Sequence, residues 1–305
     1  MHKIRIFLFF VVTILFVGAG CNITASNKPK VAATIFPIYD LVRIIGGEDV
    51  ETVLIVPAGA SPHTFEPTPS LIKELKNTSR IFQIGHGLDS WVSSIVTSIP
   101  DAHTITLDRN VQLYPTAEFD GHEHKEEGGD VEEDHEHGPV DPHYWMDPTN
   151  AYTMVDTIVE ELTLISPDHS EDFALRAKNF KDELERRDWE WLKMMKGLQN
   201  KKLVTFHDAF QYFARRFQLE IVATFEPFPG REPTPQYLID LKEEVDEHGV
   251  KTLYIEPQLS AAAIETFARD NGLTIATLDP EGSEDHTTYL DMIGYNVQTI
   301  LENQQ

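Results

Sequence analysis

Apolar and polar positions along this chain form two blocks of short strands alternating with helices, separated by a long helical stretch. Residues 31–35 are an apolar, β-branched run. A turn over 34–39 leads into a helical spacing at Leu41, Val42, Ile44 and Ile45, stopped by Gly46-Gly47. Residues 50–56 predict the next strand, ending at Pro57-Ala58-Gly59, and Ser70 caps a helix over 71–76. Further strands are expected at 80–84 and 104–107. From residue 149 the spacing turns helical, with one helix over 151–164. Ser166 and Pro167 suit the start of a second, over 168–198. At ~1.5 Å per residue that helix reaches about 45 Å, a length suited to a spine between lobes. The second block predicts strands at 202–205, 220–224, 252–256 and 274–278. Helices are expected at 210–217, 235–244 and 261–270, with a closing helix at 289–301. Such alternation predicts an α/β fold with parallel sheets. Ligands of these sheets bind beyond the carboxyl ends of the strands.

The N-terminus has a different pattern. Lys3 and Arg5 precede an apolar run from Ile6 to Val17, interrupted only by Thr13. A bilayer span takes roughly 20 apolar residues, so this run is short for one. Gly18-Ala19-Gly20 follow, and the whole reads as a secretory signal over 1–20. Cys21 is the only cysteine, which excludes an intramolecular disulfide. A lone thiol after small residues resembles a bacterial lipoprotein signal, which implies a lipid on Cys21 and anchoring to a membrane. Gly18 departs from that pattern, which usually carries Leu there. Residues 21–30 read as a tether. The expected organisation is then an N-terminal lobe over 31–148, linking helices over 149–199 and a C-terminal lobe over 200–305. About 285 residues remain after the signal, enough for two domains.

Charge narrows the partners. Twenty-five basic residues face 50 acidic ones, a net of −25. Phosphate backbones require basic patches, so nucleic acid is excluded as a partner. An acidic surface instead concentrates cations within about 10 Å. The most acidic segment, over 120–138, has almost nothing apolar and reads as a mobile loop. His122, His124, His135 and His137 lie in it among carboxylates, a composition suited to labile, low-affinity zinc binding.

Four residues carry the candidate chemistry. They are His63 in Ser61-Pro62-His63-Thr64-Phe65-Glu66-Pro67, His143 in Asp141-Pro142-His143-Tyr144-Trp145-Met146-Asp147-Pro148, His207 in Thr205-Phe206-His207-Asp208-Ala209-Phe210, and Asp279 in Leu278-Asp279-Pro280. Three imidazoles and a carboxylate make a four-coordinate site for a borderline metal, zinc first. Glu66 is an alternative ligand to Asp279, or its partner. Asp208 is placed to orient His207, because ligating imidazoles donate their other N–H to a carboxylate or carbonyl. Glu256, ending a strand, is read as holding a cleft loop. A zinc hydrolase is the competing class, since catalytic zinc keeps one position for water. No H-E-x-x-H motif supports it, and no catalytic residue is assigned.

Six elements in order carry a family resemblance: Pro62-His63-x-Phe65-Glu66-Pro67, Gly87-Leu88-Asp89-x-Trp91, Asp141-Pro142-His143-x-Trp145-Met146-Asp147-Pro148, Phe206-His207-Asp208-Ala209-Phe210, Glu256-Pro257-Gln258 and Leu278-Asp279-Pro280. The chain resembles the metal-specific solute-binding proteins of ATP-binding-cassette importers, from residue 31 to about 302. The resemblance implies two α/β lobes, each with a parallel sheet flanked by helices, joined by a single long helix. It places the metal in the cleft between them, on His63, His143, His207 and Asp279. Zinc binders of the family carry His at the third position and manganese binders usually Glu; His207 implies Zn²⁺ as cargo, with manganese the alternative. The expected partner is a membrane permease driven by a separate ATPase, and the expected form is an exported, lipid-anchored monomer.

Overall fold

The computed structural model describes residues 28–116, 140–226, 233–258, 262–283 and 285–304. The signal, Cys21 and the four histidines of the 120–138 loop lie outside the described residues.

Two parallel sheets of four strands form the frame. Strands β1 (Lys30–Ala33), β2 (Glu51–Leu54), β3 (Thr78–Gln83) and β4 (His103–Thr106) pair in the order β2-β1-β3-β4. Strands β5 (Lys202–Thr205), β6 (Glu220–Thr224), β7 (Thr252–Ile255) and β8 (Thr274–Thr277) pair in the order β6-β5-β7-β8. The two orders are the same when strands are counted within each half. Ala32 lies between Val53 and Ile81 in the first sheet, and Val204 opposite Leu253 in the second. Parallel neighbours need crossover connections, which explains the alternation in the sequence. The crossovers are α1 (Phe36–Gly46), α2 (Pro69–Glu74) and α3 (Val92–Ser98) in the first half. In the second they are α6 (Gln211–Phe217), α7 (Pro235–His248) and α8 (Ala262–Asn271).

Between the halves run α4 (Asn150–Ile165) and α5 (Ser170–Met195), and α9 (Tyr289–Asn303) closes the chain. Helix α5 has 26 residues, about 39 Å, and a separate 3₁₀ turn over Pro167–His169 precedes it. The sequence reading fused the two into one longer helix. Two other starts differ from expectation. Pro37 sits in the first turn of α1, where its missing N–H costs nothing, so that helix begins at Phe36. Thr68, not Ser70, caps α2, its hydroxyl accepting the Leu71 N–H.

The main core is continuous across the halves. Val31 and Phe82 of the first sheet, Leu184 and Trp191 of α5, Leu203 of the second sheet and Val297 of α9 belong to one apolar cluster. Three polar bonds reinforce it. The Tyr289 N–H donates to Asp40 Oδ2 at 2.8 Å, the Tyr289 hydroxyl to Trp145 O at 2.7 Å, and Trp145 Nε1 to Pro280 O at 2.8 Å. Fully buried Tyr and Trp tips require such partners. The strand ends of both sheets converge on the space beside Trp145.

Candidate metal centre

The three histidines meet there. Their ring centroids form a near-equilateral triangle: 5.3 Å from His63 to His143, 5.5 Å from His63 to His207, and 5.4 Å from His143 to His207. One donor nitrogen from each lies within 4.8 Å of the other two. Nε2 of His143 and Nε2 of His63 are 3.3 Å apart.

Each histidine arrives by a different route. His63 is carried on a one-turn 3₁₀ helix, Pro62–Thr64, in the loop between β2 and α2, and is half-buried. His143 precedes a 3₁₀ turn over Tyr144–Met146 and is 3% exposed. Asp141 Oδ1 accepts both its backbone N–H, at 2.9 Å, and its Nδ1–H, at 2.8 Å. That carboxylate keeps the proton on Nδ1 and turns Nε2 into the cluster. His207 lies two residues beyond β5 and is 5% exposed. Glu256 Oε1 sits 2.6 Å from its Nδ1. Burial works against charge on the His207 ring, but the Glu256 carboxylate and its hydrogen bond outweigh that, with Asp208 and Glu226 adding to it. The net is a basicity above the usual imidazole value. His207 Nε2, facing the cluster, is buried with no hydrogen-bond partner among the described residues. A buried lone pair without a partner is costly in an apo protein and suits an ion.

The remaining sequence-derived candidates fall elsewhere. Glu66 is exposed and outside the donor cluster, so it is not a substitute ligand in this geometry. Asp208 does not orient His207; Glu256 has that position, because β7 lies beside β5 and Glu256 directly follows β7. Asp279 is also outside the three-histidine group. Its Oδ1 is committed to the turn that follows, accepting the N–H groups of Glu281 at 3.1 Å and Gly282 at 2.8 Å. Its Oδ2 is buried with no hydrogen-bond partner among the described residues. The turn places Glu281 on the wall of the cavity beside His63 and His207, together with Glu256, Gln258 and Pro280. Burial pushes the Glu281 carboxyl well above the usual range, and Asp279, Glu256 and Asp89 push it in the same direction. Glu281 was missed in the sequence because only the folded turn separates it from Asp279 in role.

A second trio, Asp49, His169 and Asp172, also clusters. Arg176 already pairs with Asp49 Oδ2 at 2.8 Å, and the trio lies at the N-terminus of α5, whose dipole repels cations. It is an ion-pair knot tying α1 to α5.

This chain belongs to the family described as zinc-uptake complex component A, periplasmic, whose model matches residues 31–303. It is 27% identical over 267 residues to the zinc-binding protein AdcA of Streptococcus pyogenes, covering 85% of this chain and 52% of the relative. It is 24% identical over 312 residues to the zinc-binding lipoprotein AdcA of Streptococcus pneumoniae, covering 99% of this chain and 61% of the relative. The chain thus spans about half the length of these curated relatives. A zinc-bound mutant variant of AdcAII from Streptococcus pneumoniae superposes with a TM-score of 0.77 at 25% identity, covering 91% of this chain and 99% of the other.

Proposed function

We propose that this protein captures Zn²⁺ outside the cytoplasmic membrane and hands it to the permease of an ATP-binding-cassette importer. The observation that carries this reading is the triangle of His63, His143 and His207 around an unpartnered His207 Nε2. Three neutral imidazoles favour zinc over manganese, which prefers oxygen ligands. Zinc-binding relatives and the family assignment support the same metal. The three nitrogens supply three donors. For the fourth, the turn after β8 offers two carboxylates: Glu281 on the cavity wall, and Asp279, the donor expected from the sequence, whose Oδ2 is buried with no hydrogen-bond partner among the described residues.

The cavity beside His63 and His207 has a volume of about 10 Å³, which holds roughly one water-sized particle and suits an ion. The core continuous across both halves supports little relative movement of the lobes, so release falls to docking on the permease. The lipid signal at Cys21 supports anchoring on the outer face of that membrane, with the lobes over 31–148 and 200–305 as the two jaws. In the same reading the 120–138 loop collects zinc weakly.

The test is a competition titration of Zn²⁺ against Mn²⁺ on untagged protein lacking residues 1–21, with and without residues 121–137. The expected result is one tight zinc equivalent, not displaced by manganese, in both forms, with extra weak equivalents only when the loop is present. Manganese preference, or no tight equivalent without the loop, would overturn the assignment.

A further inference from the structure

The Gly87-Leu88-Asp89-x-Trp91 segment stands out in the sequence but supplies nothing to the donor cluster. Its last residue grips the turn that carries His63. The Trp91 Nε1–H donates to Pro62 O at 2.9 Å. The Trp91 ring meets Phe65 edge-on, with centroids 4.8 Å apart. Pro62 and Phe65 bracket His63, so the indole holds the turn on both sides. Phe65 and Trp91 also pack on the apolar cluster of Ile81, Val92 and Ile95, which ties the turn to the first sheet.

Trp91 is itself fixed from behind. Asp89 is buried, and its oxygens accept the N–H groups of Ile84 at 2.7 Å and Gly85 at 2.8 Å. Its carbonyl accepts the Val92 N–H at 3.0 Å and starts α3. The loop between makes three successive left-handed steps, φ 79° at Gly85, 55° at His86 and 94° at Gly87. A Cβ on Gly85 would lie 2.9 Å from Thr106 Cγ2, so glycine is required there. The segment is a rigid bracket running from the end of β3 to the His63 turn.

We propose that Trp91 is a positioning residue that aims the His63 imidazole into the metal cleft through its grip on Pro62 and Phe65; this rests on the zinc-binding reading above. His63 rides on the one-turn helix Pro62–Thr64, and Trp91 holds that turn at Pro62 and beside it at Phe65, so the setting of the turn directs the His63 ring.

The test is a double-mutant cycle on the full chain: wild type, Trp91→Phe, His63→Ala and the pair, titrated with Zn²⁺ against a competing chelator. Trp91→Phe keeps a ring on Phe65 and deletes the N–H. The expected result is about a tenfold loss in Trp91→Phe, the low end for partners that orient ligands, and no further loss on top of His63→Ala. A metal-free readout accompanies it. The imidazole ¹⁵N signals of His63 should move in Trp91→Phe, while those of His143 and His207 stay. Full persistence of the Trp91→Phe loss in the His63→Ala background overturns the proposal, as does wild-type affinity with unmoved His63 signals. A His63→Ala protein that binds zinc like wild type removes the zinc-site reading itself, and this inference with it. If Trp91→Phe does not fold, Phe65→Leu loosens the same grip from the other side and carries the same cycle.

Discussion

The two halves of the molecule share one strand order yet use the ends of their central strands differently. Each has a buried carboxylate beyond its third strand, Asp89 in the loop before α3 and Glu256 directly after β7, that reaches back to the end of its first. In the first half Asp89, 2% exposed, accepts the Thr34 hydroxyl at 2.8 Å and two backbone N–H groups. In the second Glu256, 3% exposed, accepts the His207 Nδ1–H at 2.6 Å and the His207 backbone N–H at 3.3 Å. Both bridges join two central strands; where the donor is an imidazole and not a hydroxyl, the carboxylate raises the basicity of a candidate metal ligand. The first half keeps the bridge for structure and places its own histidines farther out, on the turn after β2 and beside Asp141.

The largest break in this comparison is His207→Ala. Four-donor zinc sites are worth about 10–16 kcal/mol in small peptides, so one donor's share is roughly 3 kcal/mol, a hundredfold or more in affinity. A competition titration should show that loss, with a denaturant melt beside it because the substitution also leaves the buried Glu256 carboxylate without the His207 Nδ1–H. Near-native affinity would mean that the triangle is a packing feature.

Glu256→Gln should have the next effect, about ten- to a hundredfold at neutral pH, because the oriented imidazole loses its carboxylate. The pH profile gives the sign. Zinc must displace a proton from His207, whose basicity stands above the usual imidazole value of about 6.5. In the wild type, affinity should therefore start to fall with decreasing pH while still above about 6.5. Removing Glu256 leaves burial as the dominant influence on the ring, so the onset should move to lower pH. Affinity measured from pH 8 to 5 in both proteins checks this, and an unmoved onset would dissociate Glu256 from His207 basicity.

The two carboxylate partners also show what a sequence can disclose. Asp141 is two residues from His143 and belongs to a local Asp-Pro-His motif. Glu256 is 49 residues from His207, and only the β5–β7 pairing joins them, so proximity in sequence pointed wrongly to Asp208. The strands were legible because each carries a short apolar or β-branched run between turn or helix signals. The three histidines were legible because each stands in a distinctive Pro- or Phe-rich context near a strand end. Helix α3 was not anticipated: seven residues rich in Ser, Thr and Val have little helical preference, and Asp89 and packing decide their state. Asp279 was located correctly at its strand end, but how its two oxygens are divided depends on the turn geometry of 279–282.

The smallest expected effect falls on the other side of the comparison. Thr34→Val removes the hydroxyl that Asp89 accepts and leaves its bonds to Ile84 and Gly85 in place. A lost bond to a buried charged acceptor costs about 1–3 kcal/mol, with the remaining bonds holding it near the low end. The chain should unfold at lower denaturant concentration by that amount, with an unchanged slope. Its zinc affinity should stay at the wild-type value. A Thr34→Val protein that loses zinc as Glu256→Gln does would show that the first bridge also acts on the metal, and that the two halves divide structure and binding less cleanly than their bond partners imply.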